Sequence, residues 1–231
     1  MTLLFAAVLL IAACGAGSSA STVAPPISSG EAEDQLKAIV LTAGDVGEGF
    51  TQDVERVQTN DNAAAARPDT DNARRQYADW GQVLSYNVQY GATSETGLVY
   101  TGSVARIMNT ATLYQTPEGA GSALAFERSL SPSVIANILV NDGPGTRISE
   151  TQVVKDITFP ARGDESFAWR LSGKATFENG LVTTFVADAV FVRKGRVTGA
   201  VIAVALGEQP DRAKLSALVD RFIEHATDAQ Q

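Results

Sequence analysis

Asp188 and Trp169 are the residues of this 231-residue chain whose placement points most directly to chemistry. Asn179-Gly180 lies between the strand-like runs Ser166–Phe177 and Leu181–Arg193 and has the composition of a two-residue hairpin turn, which fixes register. In that register Phe167 faces Val192, Trp169 faces Val190, Leu171 faces Asp188 and Phe177 faces Val182. A second turn at Lys194-Gly195 sets Asp188 opposite Val201. Asp188 is then the one carboxylate on a face of Phe, Trp, Leu and Val, where an unpaired charge is costly. The structural outcome is a bulge that turns Asp188 outward, or a partner such as a hydroxyl, a backbone amide or an arginine from another element. The functional outcome is a ligand-binding cavity between sheet and helix, lined by Asp188 and Trp169, that fixes a cationic or hydroxyl-bearing molecule.

The other candidates are poorer material. His225, the only histidine, sits beside Glu224 near the end of the last helix, without the convergent partners that a nucleophile–base pair or a metal site needs. It reads as a solvated helix residue suited to the C-terminal end of the dipole. Gly44-Asp45-Val46-Gly47-Glu48-Gly49 follows a helix, carries two acids and has no lysine, so it reads as a bend and not a phosphate loop. Asn60-Asp61-Asn62 and Asn141-Asp142-Gly143 lack the alternating oxygen ligands and closing glutamate of a calcium loop and read as turns. No catalytic set, metal site or cofactor is expected. Tyr77, Tyr86, Tyr90, Tyr100 and Tyr114, with Trp80, serve either as sheet core or as a recognition surface.

The elements that position these residues alternate between the two periods. Residues 15–30 are rich in Gly, Ser, Ala and Pro and form a tether. A helix starts at Glu31 with Ala32, Leu36, Ile39 and Val40 on one face, and Gly44, Gly47 and Gly49 end it. A strand over Phe50–Val57 follows, then residues 59–71 as a mobile loop and a short helix to Trp80. Tyr86, Val88 and Tyr90 alternate as a strand, and Leu98–Tyr114 is a long bulged β segment. Pro117 opens a helix carrying Ala120, Ala123, Leu124 and Leu130. After the strands Ser166–Phe177, Leu181–Arg193 and Arg196–Leu206, Pro210 opens the last helix, with Leu215, Leu218, Val219, Phe222, Ile223 and Ala226 at helical spacing. Both halves end in strand, turn, proline and helix, a layout compatible with internal duplication. The class is α+β: a mostly antiparallel sheet packed by amphipathic helices, one domain over 31–231.

The lone cysteine, Cys14, ends an uncharged apolar run too short to span a bilayer. Leu10-Ile11-Ala12-Ala13-Cys14 resembles the lipobox of bacterial lipoproteins. The resemblance implies a signal peptide over 1–13, a Cys14 carrying acyl chains such as palmitate, and lipid anchoring on the extracytoplasmic face of the cell membrane, or in the outer membrane of a host that has one. Met1-Thr2 carries no positive charge, whereas a signal peptide carries a positive n-region, so an upstream start is the expectation. The net charge of -8 makes nucleic acid and anionic lipid surfaces poor partners. With Cys14 acylated, no thiol remains for a disulfide, and burial alone must hold the domain.

Further stretches carry a wider likeness. Leu41-Thr42-Ala43-Gly44-Asp45-Val46-Gly47-Glu48-Gly49-Phe50, Leu113–Ala120, Gly163-Asp164-Glu165-Ser166 and Val190–Val197 resemble those of uncharacterised exported bacterial lipoproteins. More remotely they are similar to actinobacterial envelope lipoproteins and extracellular sensor-type domains. The resemblance implies a sheet-and-helix sandwich and transfers no functional residue. The expected function is a membrane-tethered extracytoplasmic binding or sensing lipoprotein without catalytic activity, its partner a small or hydrophobic ligand. The alternatives are an assembly partner for another envelope protein and, behind it, an envelope hydrolase. Cys14→Ser should move the chain from the membrane fraction to the soluble fraction on cell fractionation; retention in the membrane would refute the lipid anchor.

Overall fold

The boundaries of the elements follow from local capping chemistry. The computed structural model describes residues 26–67, 69–93, 104–139 and 146–230, so the signal segment, Cys14, Tyr100 and Asn141-Asp142-Gly143 lie outside the described residues. Ser28 and Glu31 form a capping box that starts α1 (Ser29–Ile39), two residues before the expected tether boundary. A second box, Thr42 with Asp45, starts α2 (Ala43–Val46), and Gly47 leaves it at φ +88°. Then come β1 (Phe50–Gln58), α3 (Asn60–Ala65), α4 (Thr70–Asp79), β2 (Gln82–Ala92), β3 (Val104–Tyr114), α5 (Pro117–Ser129) and α6 (Pro132–Leu139). The chain closes with β4 (Thr146–Val154), β5 (Glu165–Phe177), β6 (Val182–Lys194), β7 (Val197–Leu206) and α7 (Arg212–Asp228). Among the described residues no helix is long and apolar enough to cross a membrane.

Within the expected loop over 59–71, residues 60–65 are instead helical and α4 begins at Thr70. Thr59 caps α3 by accepting from Asn62 N at 3.3 Å, and the alanine run behind it is the best of helix formers. Ala64 is fully buried against Ala73 and Tyr77 of α4, which fixes the two short helices as a pair.

The seven strands form one sheet in the order β1-β2-β3-β7-β6-β5-β4, with every neighbouring pair antiparallel. This is the expected α+β architecture. One face is largely apolar: Tyr86, Val88, Tyr90, Ile107, Val190 and Val201 meet Leu36 and Ile39 of α1 and Val219 and Phe222 of α7. The chain between α1 and α2 crosses this face with both polar groups of Leu41 bonded. Asn109 Oδ1 accepts its N–H at 2.8 Å, and the Tyr90 hydroxyl donates to its carbonyl at 2.7 Å. The opposite face buries Phe167, Trp169, Phe191 and Ile202 under Leu124 of α5 and Ile135 of α6. Thus α5 and α7 lie on opposite faces. A duplication about the antiparallel β3–β7 pair would put them on the same face, so the layout does not support it.

The β5–β6 register differs from the expected one by a single residue. Phe177 N donates to Leu181 O, Gly180 N donates to Phe177 O, and Gly180 takes φ +79°, so the connection is a three-residue loop with glycine in the left-handed position. Trp169 therefore pairs with Ala189, and Arg170 with Asp188. A one-residue shift exchanges faces, so Asp188 and Trp169 stand on opposite sides of the sheet and share no cavity. The second turn is Gly195-Arg196, closed by Lys194 and Val197, and sets Asp188 opposite Ala203. That shift is of two residues, so Val201 remains on Asp188's face.

Asp188, 1% exposed, receives both arms of Arg170, Nε to Oδ1 and Nη2 to Oδ2, each at 2.6 Å. The buried carboxylate thus has the arginine partner that its environment demands. Asp188→Ala should cost about 3 kcal/mol in urea unfolding because it strands Arg170, whereas Asp188→Leu combined with Arg170→Met should stay within about 1 kcal/mol of the parent. Equal losses in both variants would overturn the pairing argument.

Candidate functional site

The face carrying α5 and α6 is apolar mainly over β7, β6, β5 and β4. Over β1, β2 and β3 it turns polar, because the positions alternating with Tyr86, Val88, Ala111 and Leu113 are Ser85, Asn87, Thr110 and Thr112. These pair across the strands: Ser85 Oγ lies 2.9 Å from Thr112 Oγ1, and Thr110 Oγ1 donates to Asn87 Oδ1 at 2.6 Å. A helix laid flat on such a floor would bury polar groups without partners, and none lies there. Instead α3 and α4 stand at its edge. Asn60 Nδ2 holds α3 by donating to Gln82 O at 2.7 Å.

Between floor and helices is a cleft of about 490 Å³, within the range of about 300–1,000 Å³ common for ligand pockets. One wall is aromatic. The Trp80 ring lies 5.2 Å from Phe126 and 6.0 Å from Tyr77, centroid to centroid, all three tilted into a concave surface. The wall is fixed by backbone contact: a Cβ at Gly119, in the first turn of α5, would lie 1.9 Å from the Trp80 carbonyl oxygen. Gln115 N also donates to Gly81 O at 2.8 Å, closing that end. Tyr114 is buried at the base, and burial raises its hydroxyl far above the usual tyrosine range.

Two polar groups of the cleft lining stand out among the described residues. Asn87 Nδ2 is shut off from water with no hydrogen-bond partner. If the amide is turned over, its oxygen is the atom left without a partner. Glu127 of α5 is half-buried and lines the cleft with no hydrogen bond to its carboxyl. Burial pushes the carboxyl up to about 7, against the opposing pull of the Arg67 guanidinium. Arg67 itself, whose Nε lies 3.4 Å from the Tyr77 hydroxyl, is the cleft's lining cation. The site can therefore offer donors, acceptors and an aromatic surface at once.

The sequence-derived candidates lie elsewhere. Trp169 packs against Phe167 and Phe191, with ring centroids 5.1 and 4.6 Å away, in the core beneath α5 and α6. Asp188 is paired on the far face. His225, expected in solvent, is largely buried on that far face, its Nε2 3.8 Å from Asp45 Oδ1 of α2. Asn60-Asp61-Asn62 forms the first turn of α3, and no group of three or more metal-ligating side chains occurs among the described residues. Of the described aromatic residues, Tyr86 and Tyr90 belong to the main core, and Tyr77 and Tyr114, also buried, line the cleft with Trp80. The sequence signal for the cleft was the polar alternation in β2 and β3, which marks a face that helices do not fill.

Glu127 sets a pH dependence. Its folded-state value of about 7 stands above the ordinary 4.5, so over that interval the folded chain holds a proton that the unfolded chain releases. This contribution is full below pH 4.5 and is lost as pH rises through about 7. Glu127→Gln should therefore gain stability relative to the parent between pH 5 and pH 8, on the order of 2 kcal/mol after discounting for partial exposure. Urea midpoints at the two pH values measure it, and parallel pH profiles would refute it.

No model of a known protein family matches the chain, and no curated protein matches it in sequence. Among solved structures it is similar to the extracellular domain of PknH from Mycobacterium tuberculosis, at 10% identity and a TM-score of 0.48, over 88% of this chain and 98% of that one.

Proposed function

We propose that this protein is a non-enzymatic binding module, lipid-tethered through Cys14 on the extracytoplasmic side of the membrane, that takes a small polar ligand in the cleft between β1–β3 and the α3–α4 and α5 helices. The observation that carries the reading is the cleft's unpartnered Asn87 Nδ2, in a lining that also holds the half-buried Glu127 carboxyl and an aromatic wall. A buried donor or acceptor without a partner costs about 1–3 kcal/mol, and a ligand that meets it recovers that cost on binding. The tether rests on the lipobox-like residues and on the Gly, Ser, Ala and Pro stretch behind them.

Binding fits this geometry better than catalysis. The cleft lining carries one carboxyl, Glu127, and one cation, Arg67, among the described residues. Hydrolysis of the acid–base type needs a second carboxylate or a nucleophile–base pair, and His225 is on the other side of the sheet. The ligand is polar and not a lipid, because an acyl chain would strand the hydroxyl and amide floor.

Native mass spectrometry of the full chain, gently extracted from its own membranes, tests the proposal. A reproducible small-molecule adduct, lost on unfolding and reduced in Asn87→Ala, is the expected result. A mass accounted for by chain and acyl groups alone, together with crosslinking of the cleft face to another envelope protein, would overturn it in favour of an assembly role.

A further inference from the structure

The chemical class of the ligand follows from what the cleft offers and where. Its floor is neutral and amphoteric: the Asn87 amide and the Thr110 hydroxyl, together with the Ser85–Thr112 pair, present donors and acceptors side by side over two strands. Its charges oppose each other. A phosphate or carboxylate drawn to Arg67 would meet Glu127, and an ammonium drawn to Glu127 would meet Arg67. Neither an anion nor a cation finds a matched site. The remaining wall is the tilted Trp80–Phe126 pair, whose negative ring faces attract C–H groups carrying partial positive charge. A planar heteroaromatic ring would stack there too, but its polar atoms lie only at its edge and cannot answer a floor that is polar throughout. Vicinal hydroxyls on a saturated ring can, since each both donates and accepts.

We propose that the cleft binds one neutral pyranose ring, its C–H face laid on Trp80 and Phe126 and its hydroxyls shared between the Asn87 amide and the Glu127 carboxyl. This rests on the reading of the cleft as the binding site and goes beyond it in naming the ligand class. The lone carboxyl makes the site a reader of the sugar and not a cleaver of it, because glycoside hydrolysis of the common kind uses two carboxyl groups across the bond.

The chain has two tryptophans, one in the cleft wall and one in the core, so their indole N–H signals separate a cleft event from a general one. The full 15N-labelled chain is titrated with methyl α-D-glucopyranoside, methyl α-D-mannopyranoside, methyl β-D-galactopyranoside and N-acetyl-D-glucosamine, and in parallel with inorganic phosphate and spermidine. At least one saccharide should move the Trp80 indole and Asn87 side-chain amide signals saturably while Trp169 stays fixed. Asn87→Ala should weaken that saccharide about tenfold, and unchanged Tyr86 and Tyr90 amide signals would confirm that the variant is folded. If phosphate or spermidine moves the cleft signals and no saccharide does, the sugar class is wrong and the cleft remains a binding site. If saccharides shift only signals outside the cleft, or if no probe moves the cleft signals, the proposal is overturned. The adduct measurement on extracted protein then decides separately whether the cleft holds anything at all.

Discussion

Successive side chains on a pleated strand point to opposite faces, and the organisation of this domain depends on how its single sheet uses that alternation. The antiparallel order β1-β2-β3-β7-β6-β5-β4 presents one largely apolar face, which α1 and α7 cover. The other face is apolar over only part of its width. There α5 and α6 close over Phe167, Trp169 and Phe191, and the cover stops where Thr110, Thr112, Ser85 and Asn87 begin. Burying hydroxyls and amides under an apolar helix would forfeit their hydrogen bonds with water, so on the polar half Ser85, Thr112, Thr110 and Asn87 bond one another instead. The cleft lies over this half, walled in by helices at its rim.

Holding such a cleft open requires rigid contacts at its ends. Gly119 supplies one, since only a residue without Cβ lets α5 pass against the Trp80 carbonyl. The α3–α4 pair supplies another through the fully buried Ala64 and the bond from Asn60 to Gln82 O. On the far face the Leu41 backbone is tied down by Asn109 and Tyr90. The satisfied polar groups beneath α1 and the unsatisfied ones in the cleft make a pointed contrast. Asn109 bonds Leu41 N and Ala200 O with its two ends, whereas Asn87 bonds Thr110 with one end and leaves the other vacant. The same residue type is structural in one place and available for recognition in the other.

Asp188 shows the alternation acting on charge. One extra loop residue between β5 and β6 carries it from the side of Trp169 to the side of Arg170, where a bidentate pair satisfies it. A carboxylate that looked like a lone ligand-binding group is thereby a register pin. Glu127 gives no sign in sequence of its surroundings, yet it is the carboxyl whose burial in the cleft raises its protonation range.

The amino-acid sequence by itself determined the class, every described strand between Phe50 and Leu206 except β4, and the amphipathic helices at both ends. Each is written in local periodicity, caps or a short contiguous motif. It also held the polar alternation of β2 and β3, though not which of their faces would be left uncovered. Tertiary structure alone decided the pairing of Asp188 with Arg170, the docking of α3 and α4 as a helical wall, and the convergence of Trp80, Asn87 and Glu127 on one cleft. The physical reason is that register turns on a single loop residue and convergence on helix placement, and both are settled by contacts between segments far apart in the chain.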